Sequence, residues 1–186
     1  MGESDAQTER ILAAIDALVT RRLALGPLRT EQDPRWPSPC EIGAPDDDGW
    51  IAWQPIRRQG AEVLAPLAAT LGCRLHPALE AYYGRYWSNG WRVRGTLGSM
   101  SLIGVWNPED QDRLLQNLLG HALQQQRLRR PLSLFFGCAG PDDEWVLSLR
   151  NDTGEVVLER PDGVEPVADD LGTFLDHLEP LADDSP

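Results

Sequence analysis

The stretch from Asn107 to Arg130 leaves this chain the least freedom. Asn107 is a favoured N-cap residue, Pro108 suits the first helical position, and Glu109 and Asp110 fall in the first turn, where carboxylates complement the helix dipole. Leu114, Leu115, Leu118, Leu119, Ala122 and Leu123 recur as one apolar stripe, and Arg127, Arg129 and Arg130 stand at the end that favours cations. This pattern predicts a long amphipathic helix, which must bury its stripe against another layer. The flanking sequence supplies that layer. Trp91 to Arg94 alternates, Gly95 to Gly98 turns, and Ser99 to Trp106 is apolar enough for a buried strand, so the three form a predicted hairpin. Beyond the helix, Leu132 to Phe136, Trp145 to Arg150 and Glu155 to Glu159 read as strands, the last two joined through Asn151-Asp152-Thr153-Gly154.

The N-terminal half adds helices. Ser4 and Gln7 form a capping box, and Ile11, Leu12, Ile15, Val19 and Leu23 follow at helical spacing up to Gly26-Pro27. From Thr30 to Asp48 the prolines Pro34, Pro37, Pro39 and Pro45 forbid regular ladders, which predicts an ordered surface loop pinned by Trp36. Trp50 to Gln54 reads as a short strand and Ala61 to Leu71 as a helix. His76-Pro77 opens another helix carrying Leu79, Tyr82, Tyr83 and Tyr86, with Ser88-Asn89-Gly90 as its end, and Asp170 to Leu181 closes the chain as a short helix. Helices and hairpins alternate without a βαβ rhythm. The expected fold is therefore α+β: one domain over residues 1–181, a mainly antiparallel sheet packed by helices, with 182–186 as a flexible acidic tail.

Charge is distributed unevenly. Residues 1–130 hold fifteen Arg and fifteen acids, whereas residues 131–186 hold two Arg and fourteen acids, so the last part carries the whole net charge of −12. A neutral body with an acidic third sets up a field that steers a basic partner. Every basic residue is Arg, and the short clusters Arg57-Arg58 and Arg127, Arg129, Arg130 are offset by nearby acids, which argues against nucleic acid as a ligand. Anionic headgroups would repel the acidic third, so no direct lipid binding is expected. With an acidic start, no myristoylation pattern after Gly2 and no run of about 18 apolar residues, the expected location is the cytosol.

The motifs offer little catalytic chemistry. Three cysteines, Cys40, Cys73 and Cys138, without a CxxC pair, predict reduced buried thiols. Cys73 and His76 have the spacing of half a zinc site, and no second pair completes it. Gly98-Ser99-Met100-Ser101 lacks the second glycine of a nucleophile elbow, and no phosphate-cradling glycine loop is present. His121 lies near the packed stripe and reads as a hydrogen-bonded packing residue. Six of the seven tryptophans fall between Trp36 and Trp106, most of them core by alternation, with Trp36 and Trp87 expected to be partly exposed. No catalytic residue, metal ligand, cofactor or small-molecule substrate is expected.

Four stretches carry a family resemblance. Trp36-Pro37-Ser38-Pro39-Cys40, Trp53-Gln54-Pro55, Gln116-Asn117-Leu118-Leu119-Gly120-His121 and Thr153-Gly154-Glu155-Val156 together resemble Syd, the family of SecY-interacting proteins of bacteria, in order and in spacing. The resemblance implies a non-enzymatic SUKH-like protein of the immunity superfamily typified by yeast Smi1. It further implies peripheral attachment to the cytoplasmic side of the inner membrane, through an acidic surface that binds cytosolic loops of the translocon subunit SecY. Such binding would sequester uncomplexed SecY or restrain the translocase. The excess of Lys and Arg in cytoplasmic loops of membrane proteins makes an acidic partner complementary. The residues expected to make the contact are Asp46, Asp47, Asp48, Glu109, Asp110, Asp142, Asp143 and Glu144. The alternative within the same superfamily is an immunity protein that neutralises a basic toxin such as a nuclease.

Overall fold

The computed structural model describes residues 3–59, 62–140, 142 and 144–182, except for the side chains of residues 3 and 4. The long helix stands where Asn107 and Pro108 place it: α4 runs Pro108–Arg127. Asn107 is extended and its side chain accepts from the Asp110 N–H at 2.8 Å, while Asp110 accepts from the Trp106 N–H at 2.8 Å. This reciprocal arrangement satisfies donors that a helix start leaves open.

Seven strands form the main sheet, in the order β11 (Gly163–Ala168), β10 (Val156–Arg160), β9 (Trp145–Arg150), β8 (Ser133–Ala139), β7 (Gly98–Leu102), β6 (Trp91–Gly95) and β12 (Glu179–Pro180). Every neighbouring pair is antiparallel. β8 is the axis of the core, because consecutive side chains of a strand face opposite sides. Phe135 meets the His121 ring of α4 edge-on at 5.5 Å. Phe136 instead meets Tyr82 of α3 (Pro77–Arg85) at 5.7 Å and Phe174 of α5 (Leu171–Asp176) at 5.8 Å. One face of the sheet thus carries α4, and the other carries α3 and α5 with α1 (Glu3–Ala24) packed on both of them. The fold is α+β in one domain, an antiparallel sheet packed by helices.

A second sheet of three strands lies apart: β1 (Leu28–Glu31), β3 (Trp50–Trp53) and β2 (Glu41–Ile42), with β3 central. Its pairings correct the expected unbroken loop from Thr30 to Asp48. The four prolines fall outside both edge strands, so they interrupt no ladder. Trp36 does pin the intervening segment: it is half-buried, with the Arg113 guanidinium 3.9 Å above its ring. Trp53 packs against Trp91 at 5.8 Å and edge-on to Trp106 at 5.6 Å, joining the small sheet to the main one. β4 (Ile56–Arg57) and β5 (Tyr86–Trp87) pair separately, and α2 (Ala65–Leu71) follows β4.

Other boundaries shift for local reasons. α1 already includes Ser4, so that residue is helical; the side chain of the expected capping box lies outside the described residues. Leu23 is 44% exposed instead of joining the core stripe, whereas Arg22 beside it is buried. In α4 Leu123 is 41% exposed, and the buried position on that turn belongs to Gln125. β7 stops at Leu102 rather than Trp106, α3 ends at Arg85, and α5 ends at Asp176. The thiols are free, yet only Cys40 is fully buried; Cys73 is exposed and Cys138 half-buried. Ala61, the expected start of α2, and residues 183–186 of the expected tail lie outside the described residues.

Candidate partner-binding surface

The three acidic clusters occupy different elements, and two of them adjoin. Asp46, Asp47 and Asp48 form the exposed turn between β2 and β3. Asp46 is committed within it: one carboxylate oxygen accepts from the Trp50 N–H at 2.8 Å and the Asp48 N–H at 3.1 Å, and the other pairs with Arg29 of β1. These donors hold its carboxyl below the usual range, the Trp50 amide first and Arg29 next. Asp47 and Asp48 project from the turn with no ion pair among the described residues.

The β2–β3 turn touches the segment after β1, where the Gln32 N–H donates to the Gly49 carbonyl at 2.9 Å. That segment reaches the start of α4 in turn. Asn107 Nδ2 donates to the Pro37 carbonyl at 2.9 Å, Ser38 Oγ donates to the Trp106 carbonyl at 2.5 Å, and Arg113 covers Trp36. One continuous flank therefore carries Glu31, Asp33, Asp46, Asp47, Asp48 and the first turn of α4. Glu109 is exposed there, while Asp110 is half-buried and engaged by the Trp106 amide. Arg29 and Arg35 on this flank are paired to Asp46 and Asp33, which leaves carboxylates in excess.

Asp142 and Glu144 lie elsewhere. They are exposed in the turn between β8 and β9, and Asp143 between them lies outside the described residues. Because β7 and β8 are antiparallel, this turn follows one end of their ladder and α4 follows the other. The turn neighbours Asp162 and Glu165 across the sheet, where Arg160 stacks on Trp145 at 4.2 Å and pairs with Glu165 at 3.4 Å. The expected residues thus divide between two places. Glu31 and Asp33 belong with the first group through the β1–β3 register, which the sequence pattern does not expose.

The motif residues prove to hold the fold. Ser38 Oγ accepts from the Cys40 N–H at 3.1 Å while donating to Trp106, and Cys40 is wholly buried. Gly154 has φ +77°, and a Cβ there would meet His76 Nε2 at 2.6 Å, so the imidazole rests against bare backbone. His121 Nδ1 lies 3.1 Å from the Ser133 carbonyl and Nε2 3.1 Å from Glu159 Oε2. Ser133 Oγ donates to Glu159 Oε1 at 2.7 Å, and Gln125 Nε2 donates to the other oxygen. Burial pushes the Glu159 carboxyl up, but the His121 and Ser133 hydrogen bonds outweigh it and hold the pKa at about 2. Here the acid stands between hydroxyl and imidazole, with the serine bonded to the carboxylate instead of to the ring. That is a packing network, without the serine–histidine link of an activated nucleophile.

Among the described residues no group of three or more His, Cys, Asp or Glu could hold a metal ion, and no helix is long and apolar enough to cross a membrane.

Comparison with known proteins adds a lineage to this geometry. The model of the family described as Syd protein (SUKH-2) matches residues 17–180. Protein Syd of Pseudoalteromonas atlantica is 38% identical over 159 residues, covering 83% of this chain and 84% of that protein. Protein Syd of Tolumonas auensis is 38% identical over 153 residues, covering 81% and 77%, and that of Alteromonas mediterranea is 35% identical over 157 residues, covering 83% and 86%.

Proposed function

Because the chain belongs to the Syd family, we propose that it is a non-enzymatic protein that binds basic cytosolic loops of SecY through an acidic surface. It thereby attaches to the cytoplasmic side of the inner membrane, and sequesters uncomplexed SecY or restrains the translocase. The observation that carries this reading is the flank on which Asp47, Asp48 and Glu109 are exposed, while Arg29 and Arg35 are already paired to other acids and Arg113 is stacked on Trp36. Basic loops arriving there meet unneutralised carboxylates on a rigid turn and at a capped helix start, so little ordering cost opposes the contact. Asp46 and Asp110 act as positioning residues, since their carboxylates bind backbone amides. Asp142 and Glu144, at the other end of the β7–β8 ladder, supply a second contact, and Asp143 joins them in that role. The relatives' shared name favours this partner over a basic toxin.

The test is retention of the full chain on detergent-solubilised SecY at low salt. Asp47→Asn/Asp48→Asn/Glu109→Gln should lose most of the binding while keeping the parent's thermal melt, and Asp142→Asn/Asp143→Asn/Glu144→Gln should weaken it further. Undiminished retention of both triple variants would refute the acidic contact, and no retention of the parent would refute the partner.

A further inference from the structure

A cavity of about 650 Å³ opens between α1, α2, α3 and β4, and Gln111 in the first turn of α4 links its Arg58 to the helix start that borders the acidic flank. This lies within the roughly 300–1,000 Å³ of small-molecule sites, which pair an apolar lining with a few oriented polar groups. Leu12, Leu64 and Leu75 supply apolar wall. The charges are four arginines, Arg57, Arg58, Arg74 and Arg85, against Glu62 and Glu80. A cavity lining that is net positive is unexpected in a chain of net charge −12.

These arginines are held in different ways. Arg57 and Arg85 both pair with Asp16 of α1, Arg57 at 2.8 Å, and Tyr86 Oη donates to the same carboxylate at 2.9 Å. Their charge is thus partly answered. Arg58 stacks on Trp87 with its guanidinium 3.7 Å from the ring centroid, donates to the Tyr83 carbonyl at 3.2 Å and donates to Gln111. Of its five N–H donors these fix two, so the fork is oriented with donors remaining. Arg74 is exposed at the mouth and has no ion pair among the described residues. Glu80 accepts from the Leu64 N–H at 3.0 Å through one oxygen at the start of α2, and its other oxygen is buried with no hydrogen-bond partner among the described residues. Its charge partly answers that of Arg58, which leaves Arg74 as the less neutralised cation. Glu62, at the rim, holds a left-handed φ of +71°, strain of a kind that gathers at ligand sites.

We propose that this cavity binds a small amphipathic anion, its carboxylate gripped by Arg74 and Arg58 and its apolar body lying against Leu12, Leu64 and Leu75. An oriented guanidinium fork matches a carboxylate, and a half-buried one binds it more strongly than water-exposed charge does.

Calorimetric titration of the full chain with octanoate tests this, with acetate and 1-octanol as probes lacking the apolar body and the charge. Octanoate should bind at least about tenfold more tightly than either. Arg74→Gln, which keeps the backbone bond from Asn151 and removes an exposed guanidinium with no ion pair among the described residues, should weaken octanoate about tenfold, and Ala68→Phe, which fills the cavity from α2, should abolish binding. Equal binding of 1-octanol would overturn the anion site. Parent-like octanoate binding by both variants would overturn the location, and absence of binding would overturn the proposal outright. A peptide of alternating Asp and Leu that binds more tightly than octanoate would replace the small molecule with a protein segment and overturn the assignment made here. If Ala68→Phe fails to fold, the Arg74→Gln titration decides. No arm involves SecY, so failure here leaves the acidic flank untouched.

Discussion

Replacing Glu159 by Ala should cost this fold about 3–5 kcal/mol. The carboxylate is 8% exposed and accepts from Ser133 at 2.7 Å, His121 at 3.1 Å and Gln125, of which Ser133 and Gln125 are themselves buried. Hydrogen bonds to a buried charge are worth roughly 1.5–3 kcal/mol each, but groups in one network do not add. The expected loss is therefore that of breaking a buried charged pair, about 3–5 kcal/mol, because the stranded donors pay desolvation without a partner. Urea unfolding followed by tryptophan fluorescence would show it as a midpoint lowered by about 2 M at unchanged slope. Glu159→Gln keeps the shape and should cost less, and it isolates the pH term. The native carboxyl is held at about 2 against an ordinary 4.5, so its ionised form stabilises the fold above about pH 4.5. That stabilisation, about 3 kcal/mol at neutral pH, is lost as pH falls toward 2. The parent should lose stability steeply over this window, and Glu159→Gln should lose less. A cost below about 1 kcal/mol for Glu159→Ala, or an acid limb unchanged in Glu159→Gln, would refute the network's role.

Asn107→Ala removes both the helix cap and the bond to Pro37, and should lower stability by about 1–2 kcal/mol in the same unfolding assay. Gly154→Ala combines a φ of +77° with a Cβ at 2.6 Å from His76, so it should cost about 2 kcal/mol, read as a lower melting temperature. Asp47→Asn/Asp48→Asn/Glu109→Gln touches exposed side chains only and should leave unfolding free energy within about 0.5 kcal/mol per site.

Much of the fold was legible because local signals and tertiary demands agree. Asn107 and Pro108 set the start of α4, and the alternation from Trp91 gave the β6–β7 hairpin. What escaped was decided by partners distant in sequence. β1 has four residues and no usable period, and it exists through its ladder to β3. β11 contains Pro166, which reads as a break yet is tolerated on a sheet edge. Leu123 continued the apolar stripe on paper, but Gln125 takes the buried position because Glu159 needs its amide. The acidic residues were visible as composition. Which carboxylates are tied up was not, since Asp46 and Asp110 are claimed by the turn and the cap that only the folded chain assembles. Of the four cavity arginines only the Arg57-Arg58 pair was visible as a cluster, and nothing in the sequence joined it to Arg74 and Arg85.

The acidic contact with SecY is tested most directly by the salt dependence of binding to membranes that carry it. Attraction between exposed charges weakens as the screening length falls from about 10 Å at 0.1 M salt toward a few ångströms near 1 M. Binding of the parent should fall steeply between about 0.05 and 0.5 M salt, and that of Asp47→Asn/Asp48→Asn/Glu109→Gln should be weaker at the outset with a shallower slope. Binding that persists unchanged across this range, with the same slope for the variant, would contradict the account.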